Sequence, residues 1–216
     1  MTESQDGPDA RVGGEAARAI LATEPLDAAR ALLGAHFTAN GVTVRIVEVE
    51  AYRGSTDPAS HAYRGPTPRN RVMFGPAGHL YVYRSYGIHT CMNVSAGLEG
   101  AGWAVLLRAG EVTEGQEVAA ERRPSARTAL ALGRGPGNLG RVMGIGTGDG
   151  GADLLAPGAT MRLTLPAAGA VDAAAVHSGP RVGVSVNADV PWRLWLRGSP
   201  AVSAYRRSPR ADPPRD

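Results

Sequence analysis

The chain has 216 residues, of which 43% are hydrophobic, and a formal net charge of +3 at pH 7. A chain of this length is most simply one domain with its own core, and no apolar stretch approaches the length of a membrane span. The single cysteine, Cys91, excludes an internal disulfide and a thiolate-rich metal cluster.

The sequence of the first part of the chain predicts a leader, a helix and a turn, in that order. Residues 1–18 are polar and predict a disordered leader that is unlike a signal or transit peptide, so we expect a cytoplasmic protein. Thr23-Glu24-Pro25 predicts the start of a helix that Gly34 ends. Asn40-Gly41 predicts a tight turn into the next strand.

The strand predicted over residues 42–52 carries the first chemical signal. Strand alternation places four residues on one face: Ile46, Glu48, Glu50 and Tyr52. A carboxylate beside an aromatic ring suits an enzyme that stacks a flat group and activates water, with Glu50 as the base. Two other interpretations stay open. Glu48 and Glu50 form an acid/base pair, as in sugar hydrolysis, or both face solvent.

A long loop, a hairpin and a buried strand are predicted next. Residues 53–77 are rich in Gly, Pro, Ser, Thr and Arg, which is typical of a functional loop. Apolar runs at 79–83 and 88–95 predict a hairpin with Tyr86 near its tip. The apolar run at 103–108 predicts a buried strand with an arginine at its end.

The C-terminal half predicts two helices, three strands and a tail. Residue spacing predicts helices over 112–123 and 135–143. Three apolar segments predict strands, at 161–165, 181–186 and 192–196. The Pro- and Arg-rich tail at 206–216 predicts disorder, which leaves one domain of the α+β (mixed α/β) class over residues 19–205.

Aromatic side chains near Glu50 predict a platform for a flat ligand. Tyr52, Tyr81 and Tyr83 lie on predicted strands, where a single tyrosine is more typical of a core. Together they could stack a nucleobase, at about 1–3 kcal/mol per base. That gain would offset the few kcal/mol needed to pull a base out of a duplex. An exposed Tyr86 in a turn suits a wedge inserted between base pairs.

Polar side chains around the platform suit nucleic acid. Four arginines are natural phosphate contacts: Arg69, Arg71, Arg84 and Arg108. His61 is either simply exposed or bonds a phosphate or the leaving group. Asn93, in an apolar strand, must satisfy its amide with the backbone or with the edge of a bound base. The histidines lack metal spacing, and Gly133–Gly137 matches no phosphate-loop fingerprint, so we expect neither a metal nor a nucleotide cofactor.

The order and density of these motifs resemble the alkyladenine (3-methyladenine, methylpurine) DNA glycosylase family. The matching segments are Glu48-Val49-Glu50-Ala51-Tyr52, His61, Thr67-Pro68-Arg69-Asn70, Leu80-Tyr81-Val82-Tyr83, Tyr86-Gly87, Met92-Asn93, Val105–Ala109, Gly135-Pro136-Gly137 and Arg197-Gly198-Ser199-Pro200. The resemblance spans about residues 20–205. It implies a single domain with a curved antiparallel sheet, surrounding helices and a protruding hairpin. It also implies no cofactor, and a monomer that acts on duplex DNA carrying a damaged purine.

The resemblance also implies roles for individual residues. Glu50 would deprotonate the attacking water, and Arg108 would help to order that water and a phosphate. Tyr52, His61 and Tyr83 would hold the flipped base. Tyr86 would take the place of the extruded nucleotide, and Asn93 would discriminate against the amino group of guanine.

Arginine accounts for all 23 basic residues. A guanidinium cannot serve as an amine nucleophile, so Schiff-base chemistry through a lysine is unavailable. We therefore expect a monofunctional enzyme that leaves an abasic site without cutting the strand. The alternatives are a catalytically silent nucleic-acid-binding module and a hydrolase of free nucleosides. Arg84-Ser85, His89 and Asn138 depart from vertebrate members of the family and bear on lesion preference and DNA affinity.

Overall fold

Antiparallel strands form the centre of the computed structural model, which describes residues 11–211. The nine strands are β1 (Arg11–Val12), β2 (His36–Ala39), β3 (Val42–Tyr52), β4 (Leu80–Ser85), β5 (His89–Ala96), β6 (Trp103–Glu114), β7 (Arg162–Pro166), β8 (Val176–Gly179) and β9 (Arg193–Leu196). The four α-helices are α1 (Gly14–Leu21), α2 (Pro25–Leu32), α3 (Gln116–Arg122) and α4 (Pro136–Val142). Short 3-10 helices cover Gly54–Thr56, Arg71–Phe74, Ala129–Ala131, Thr147–Asp149 and Ala173–Ala175. This mixture confirms the predicted α+β class.

The sheet has the order β1-β7-β2-β3-β6-β5-β4, and β9 joins it at β3 with β8 outside. β3 has β6 along one edge, while β2 and then β9 pair along the other. It is therefore a central strand, and its valines and alanine are fully buried in the core. The register with β6 shifts on either side of Glu48. Irregularities of this kind re-aim side chains next to functional sites.

The structure confirms several elements close to the bounds that local sequence patterns predict. The predicted strand over 42–52 is β3, and the helix begun by Thr23-Glu24-Pro25 is α2. The predicted hairpin is formed by β4 and β5. Tyr86 lies at its tip with a φ of +50°, and Gly87 beside it has a φ of +72°. No helix within residues 11–211 is long and apolar enough to cross a membrane.

In the C-terminal half, one predicted strand is wrong and one predicted helix begins later than the sequence suggests. The first three residues of the helix predicted over 112–123 belong to a strand instead, because β6 continues to Glu114 in pairing with β3. Gly115 then adopts a left-handed φ of +73°, and the helix begins only at Gln116. Residues 181–186, predicted as a strand, form a loop with Gly183 at a φ of +73°. The short strand β8, before this loop, was not predicted.

Part of the expected leader is ordered. Residues 11–18, expected in the leader, form β1 and the first turns of α1. Arg18 anchors this helix, because it donates to the Ala77 carbonyl at 2.6 Å and to Asp153 at 2.9 Å. Of the expected tail, residues 206–211 lie in the described part. The remainder of both segments, 1–10 and 212–216, lies outside the described residues.

Helix α4 approaches β5 closely enough to require glycine at one position. A Cβ added at Gly140 would lie 2.2 Å from the carbonyl oxygen of Thr90. We expect Gly140→Ala to lower the free energy of unfolding by about 1–3 kcal/mol, since the backbone must move. Gly148→Ala is the matched control, because an added Cβ there has no neighbour within 4 Å. Urea unfolding of both variants measures the difference, and equal midpoints would contradict the close packing.

Candidate active site

A cavity of about 640 Å³ opens beside β3. Seven of the ten predicted site residues line it: Glu50, Tyr52, His61, Tyr83, Tyr86, Asn93 and Arg108. Its other walls come from the Gly135–Asn138 segment, from the loop at 182–184 and from Arg206. Arg69, Arg71 and Arg84 lie outside this lining and are exposed. The structure therefore brings the predicted catalytic and base-binding residues together and leaves the three predicted backbone contacts around them.

Glu50 lies in the cavity wall with no exposed surface and donors on both carboxylate oxygens. The Tyr52 hydroxyl donates to Oε2 at 2.8 Å. The backbone N–H of Val182 donates to Oε1 at 2.7 Å, and the Arg108 guanidinium lies 3.2 Å from the same oxygen. A carboxylate has about four lone-pair sites, so this arrangement fixes the group and still leaves room to accept a proton from water.

Glu48 is turned away from the cavity and belongs to a buried network. Its Oε1 accepts from Arg108 at 3.1 Å, from Arg193 at 3.0 Å and from the Ser203 hydroxyl at 3.0 Å. The backbone N–H of Ser203 donates to Oε2 at 2.7 Å. Both carboxylates of a sugar hydrolase must flank the scissile bond, and Glu48 does not reach the cavity. The acid/base-pair interpretation is therefore wrong, and so is the solvent-facing one, because both glutamates are fully buried.

Tyr52 is held as a hydrogen-bond donor by its surroundings. Burial, followed by the negative charge of Glu50, raises the pKa of Tyr52 well above its usual value, so the hydroxyl stays protonated. The guanidinium of Arg181 lies 4.6 Å from the centre of the Tyr52 ring. Arg181 in turn makes a bidentate pair with Asp57, at 2.6 and 2.9 Å, and both side chains are fully buried. This ion pair ties the loop at 53–77 to the loop after β8, and Arg181 also donates to the Ala51 carbonyl of β3 at 3.1 Å.

His61 is placed by the loop and by two tyrosines of β4. Its Nδ1 lies 3.0 Å from the Tyr81 hydroxyl, and its ring meets Tyr83 edge-on at 4.6 Å between centroids. The Asn70 side chain donates to the His61 carbonyl at 2.9 Å and so fixes the backbone of the loop. Partial burial, followed by the positive charge of Arg69, lowers the pKa of His61. The ring, which lines the cavity, is therefore neutral at pH 7.

Asn93 and Tyr86 occupy different parts of the cavity. Asn93 is buried and donates to the Tyr81 carbonyl at 3.2 Å, which is the backbone partner that the sequence left open. It also lines the cavity, so it remains a candidate for reading a base. Tyr86 stands at the hairpin tip with 91% of its surface exposed. Exposed aromatic surface of this size at a turn contributes nothing to the core.

Three residues that the sequence analysis did not assign support the site: the buried Arg181 and Arg193 and the half-buried Ser203. A signal existed for Arg193, which lies between Trp192 and Leu194 in an apolar strand. A buried arginine needs a carboxylate, and Glu48 was available. Within residues 11–211 no group of three or more His, Cys, Asp or Glu side chains is placed to hold a metal ion.

The chain is similar to known proteins over most of its length. A family model described as "Methylpurine-DNA glycosylase (MPG)" matches residues 19–200. A relative in Nocardia farcinica is 58% identical over 88% of this chain and 92% of its own length. Relatives in Rhodococcus jostii and Mycobacterium tuberculosis are 55% and 53% identical, over 87% and 88% of this chain and 84% and 94% of their own lengths. Each of the three is named "Putative 3-methyladenine DNA glycosylase".

The lowered pKa of His61 makes a prediction about acid stability. Below pH 6.5, the ordinary pKa of histidine, His61 binds a proton more readily in the unfolded chain than in the folded site. The contribution of the neutral ring is therefore complete above pH 6.5 and is lost as the pH falls toward the lower folded value. We expect the urea midpoint of the wild type to fall more than that of His61→Gln between pH 7.5 and pH 5.5. Parallel pH curves for the two proteins would contradict the shift.

Proposed function

Because the chain belongs to the methylpurine-DNA glycosylase family, we propose that it flips damaged purines out of duplex DNA and hydrolyses their N-glycosidic bond with a water activated by Glu50. Membership itself makes the chain a DNA glycosylase, a hydrolase of N-glycosyl bonds that acts on DNA. The proposal concerns the route of the reaction and the residues that perform it.

One observation carries the proposal: Glu50 is fully buried, lines the cavity and has a donor on each oxygen. A base in this position can hold a water and take its proton while the water attacks C1′ of a flipped nucleotide. Arg108, whose guanidinium contacts Glu50, also lines the cavity and would order the water and a phosphate. Placing reactants accounts for much of the barrier reduction in such a step.

The leaving group explains why one carboxylate suffices. An alkylated purine is cationic or electron-poor, so it departs once a nucleophile meets C1′ and needs little protonation. A second acid opposite Glu50 would serve no purpose in this mechanism. Glu48, which is committed to Arg108, Arg193 and Ser203, is accordingly free to be structural.

The aromatic residues supply the binding of the extruded base. Tyr52 and Tyr83 line the cavity, with His61 packed edge-on against Tyr83. A neutral His61 can offer either a donor or an acceptor to a base, whereas a protonated ring offers donors only. Asn93, which lines the cavity, would discriminate against the exocyclic amino group of guanine.

Residues at the hairpin tip and around the cavity would bind duplex DNA. Tyr86, at the hairpin tip, would fill the gap that the flipped nucleotide leaves in the stack. Arg69, Arg71 and Arg84 are exposed near the cavity and would contact phosphates. Because the chain has no lysine, we propose that the reaction stops at the abasic site. We further propose that the protein acts in the cytoplasm as a monomer and needs no metal or cofactor.

The test of this function is a duplex with a single deoxyinosine or methylated purine, incubated with the protein and then treated with hot alkali. We expect cleavage only after alkali. Cleavage without alkali would contradict the monofunctional reaction, and binding without any release would identify a catalytically silent module. Release from free nucleosides but not from the duplex would indicate a nucleoside hydrolase.

Replacing the base should remove activity without removing binding. We expect Glu50→Gln to lower the rate of base release by at least about 100-fold, the smaller contribution typical of a general base. The affinity for the lesion duplex should stay close to that of the wild type, as measured by fluorescence anisotropy. Glu111→Gln is the control, because Glu111 pairs with Arg45 and Ser199 away from the cavity. Activity that survives in Glu50→Gln would show that another group is the base.

The wedge makes a separate prediction about duplex binding. We expect Tyr86→Ser to weaken binding to a lesion duplex by about 1–3 kcal/mol, the contribution of one stacked aromatic ring. Binding to the same lesion in a single strand should change much less, because no stack must be filled. Leu98→Ser is the control, since Leu98 is 73% exposed and follows the opposite end of β5. Equal losses on single and double strands would exclude the wedge.

A further inference from the structure

Two separate paths of hydrogen bonds and ion pairs reach the same oxygen of Glu50, and both begin at Arg193. Oε1 of Glu50 is contacted by the Arg108 guanidinium and by the backbone N–H of Val182. These two donors come from distant parts of the chain. The side chain of Arg193 is only 5% exposed. It contacts Glu48, which holds Arg108, and the carbonyl of Pro180, in the loop that carries Val182.

The first path runs through Glu48. Nη1 of Arg193 donates to Oε1 of Glu48 at 3.0 Å. The same oxygen accepts from Nε of Arg108 at 3.1 Å. Nη1 of Arg108 then lies 3.2 Å from Oε1 of Glu50. Arg193 therefore fixes the carboxylate on which the Arg108 side chain is oriented.

The second path runs through the loop after β8. Nε of Arg193 donates to the carbonyl of Pro180 at 3.0 Å. Pro180 precedes by two residues Val182, whose N–H donates to Glu50 at 2.7 Å. A loop without regular pairing holds a backbone donor in place only where such contacts pin it. Arg193 holds this loop at Pro180, and the ion pair between Arg181 and Asp57 holds it at the next residue.

Arg193 has a fixed orientation because its guanidinium is enclosed by aromatic rings. It lies 4.4 Å from the Trp195 ring centre and 5.4 Å from that of Tyr205. Its backbone is paired with Glu50 across β3 and β9, and with Gly179 across β8 and β9. A planar guanidinium can direct two N–H groups along different fixed lines, which a single ammonium on a flexible stem cannot do.

We propose that Arg193 is a positioning residue for Glu50: it sets both donors of Oε1 and thereby the direction in which the carboxylate meets the attacking water. Arg193 does not line the cavity and touches no reacting atom. The inference about the rate rests on the proposed function, whereas the inference about geometry rests on the contacts alone. A merely structural Arg193 would neutralise Glu48 and support the fold without affecting Val182.

The test uses Arg193→Lys in the full-length protein, which keeps the charge and removes the two-directional geometry. Arg45→Lys is the matched control, because Arg45 lies on β3 and pairs with Glu111 outside the cavity. Two measurements are made on each protein. The first is the chemical shift of the Val182 backbone amide and of the Arg108 Nε–H in NMR spectra. The second is the single-turnover rate of base release from a deoxyinosine duplex with enzyme in excess, which does not depend on the folded fraction.

In the wild type we expect the Val182 amide to resonate downfield, which is typical of a short hydrogen bond to a carboxylate. In Arg193→Lys we expect this resonance and that of the Arg108 Nε–H to shift. We expect the single-turnover rate to fall about 10- to 100-fold, the scale of a misplacement near 1 Å. Affinity for a duplex with a tetrahydrofuran abasic site should stay within about twofold, since no DNA contact is altered. Arg45→Lys should leave both measurements unchanged.

Each outcome decides a different question. Unchanged Val182 and Arg108 resonances in Arg193→Lys would overturn the positioning role, whatever the activity. Shifted resonances with an unchanged release rate would also overturn it, because the moved donors would then be irrelevant to the reaction. A wild-type protein that releases no base would refute the proposed function, and the resonances would still decide whether Arg193 places the donors of Glu50.

Discussion

A carboxylate with no exposed surface needs hydrogen-bond donors in place of bulk solvent, and this constraint on Glu50 shapes the rest of the site. Removing an ion from water costs several kcal/mol unless it is paired in good geometry. Three acids and three arginines are buried at or behind the cavity wall: Glu48, Glu50, Asp57, Arg108, Arg181 and Arg193. Each acid contacts at least one of these arginines, so the group forms a balanced set of charges. The elements that carry them are thereby held in one arrangement.

This arrangement suits an enzyme that gains its rate by positioning the reacting groups. Donors occupy both oxygens of Glu50, and the hydroxyl of Tyr52 stays protonated because its pKa is raised. On the proposed mechanism the damaged base is already a good leaving group, so the enzyme gains most by holding one water in one direction. A rigid backing of arginine pairs serves that need. The hairpin tip, by contrast, is exposed and carries no such support.

The part of the site that is local in sequence could be predicted, and the part that depends on distant pairing could not. The β3 strand, the hairpin and the position of Tyr86 follow from alternation and turn residues within a few positions. Arg181 reaches Asp57 across 124 positions and Arg193 reaches Glu48 across 145, and no local pattern identifies these partners. The start of the helix predicted over 112–123 was wrong for the same reason. Pairing with β3, an element some 70 positions away, holds its first residues in a strand.

The contacts of Ser203 with Glu48 carry a consequence for biosynthesis. Glu50 emerges from the ribosome early, whereas Val182, Arg193 and Ser203 follow more than a hundred positions later. A nascent or prematurely terminated polypeptide that lacks this late segment leaves Glu48 with Arg108, and Glu50 with Arg108 and Tyr52. Two acids that share one arginine at the centre of the sheet oppose its closure. Incomplete translation products are therefore expected to remain unfolded. On the proposed function, such a polypeptide would not release bases from DNA.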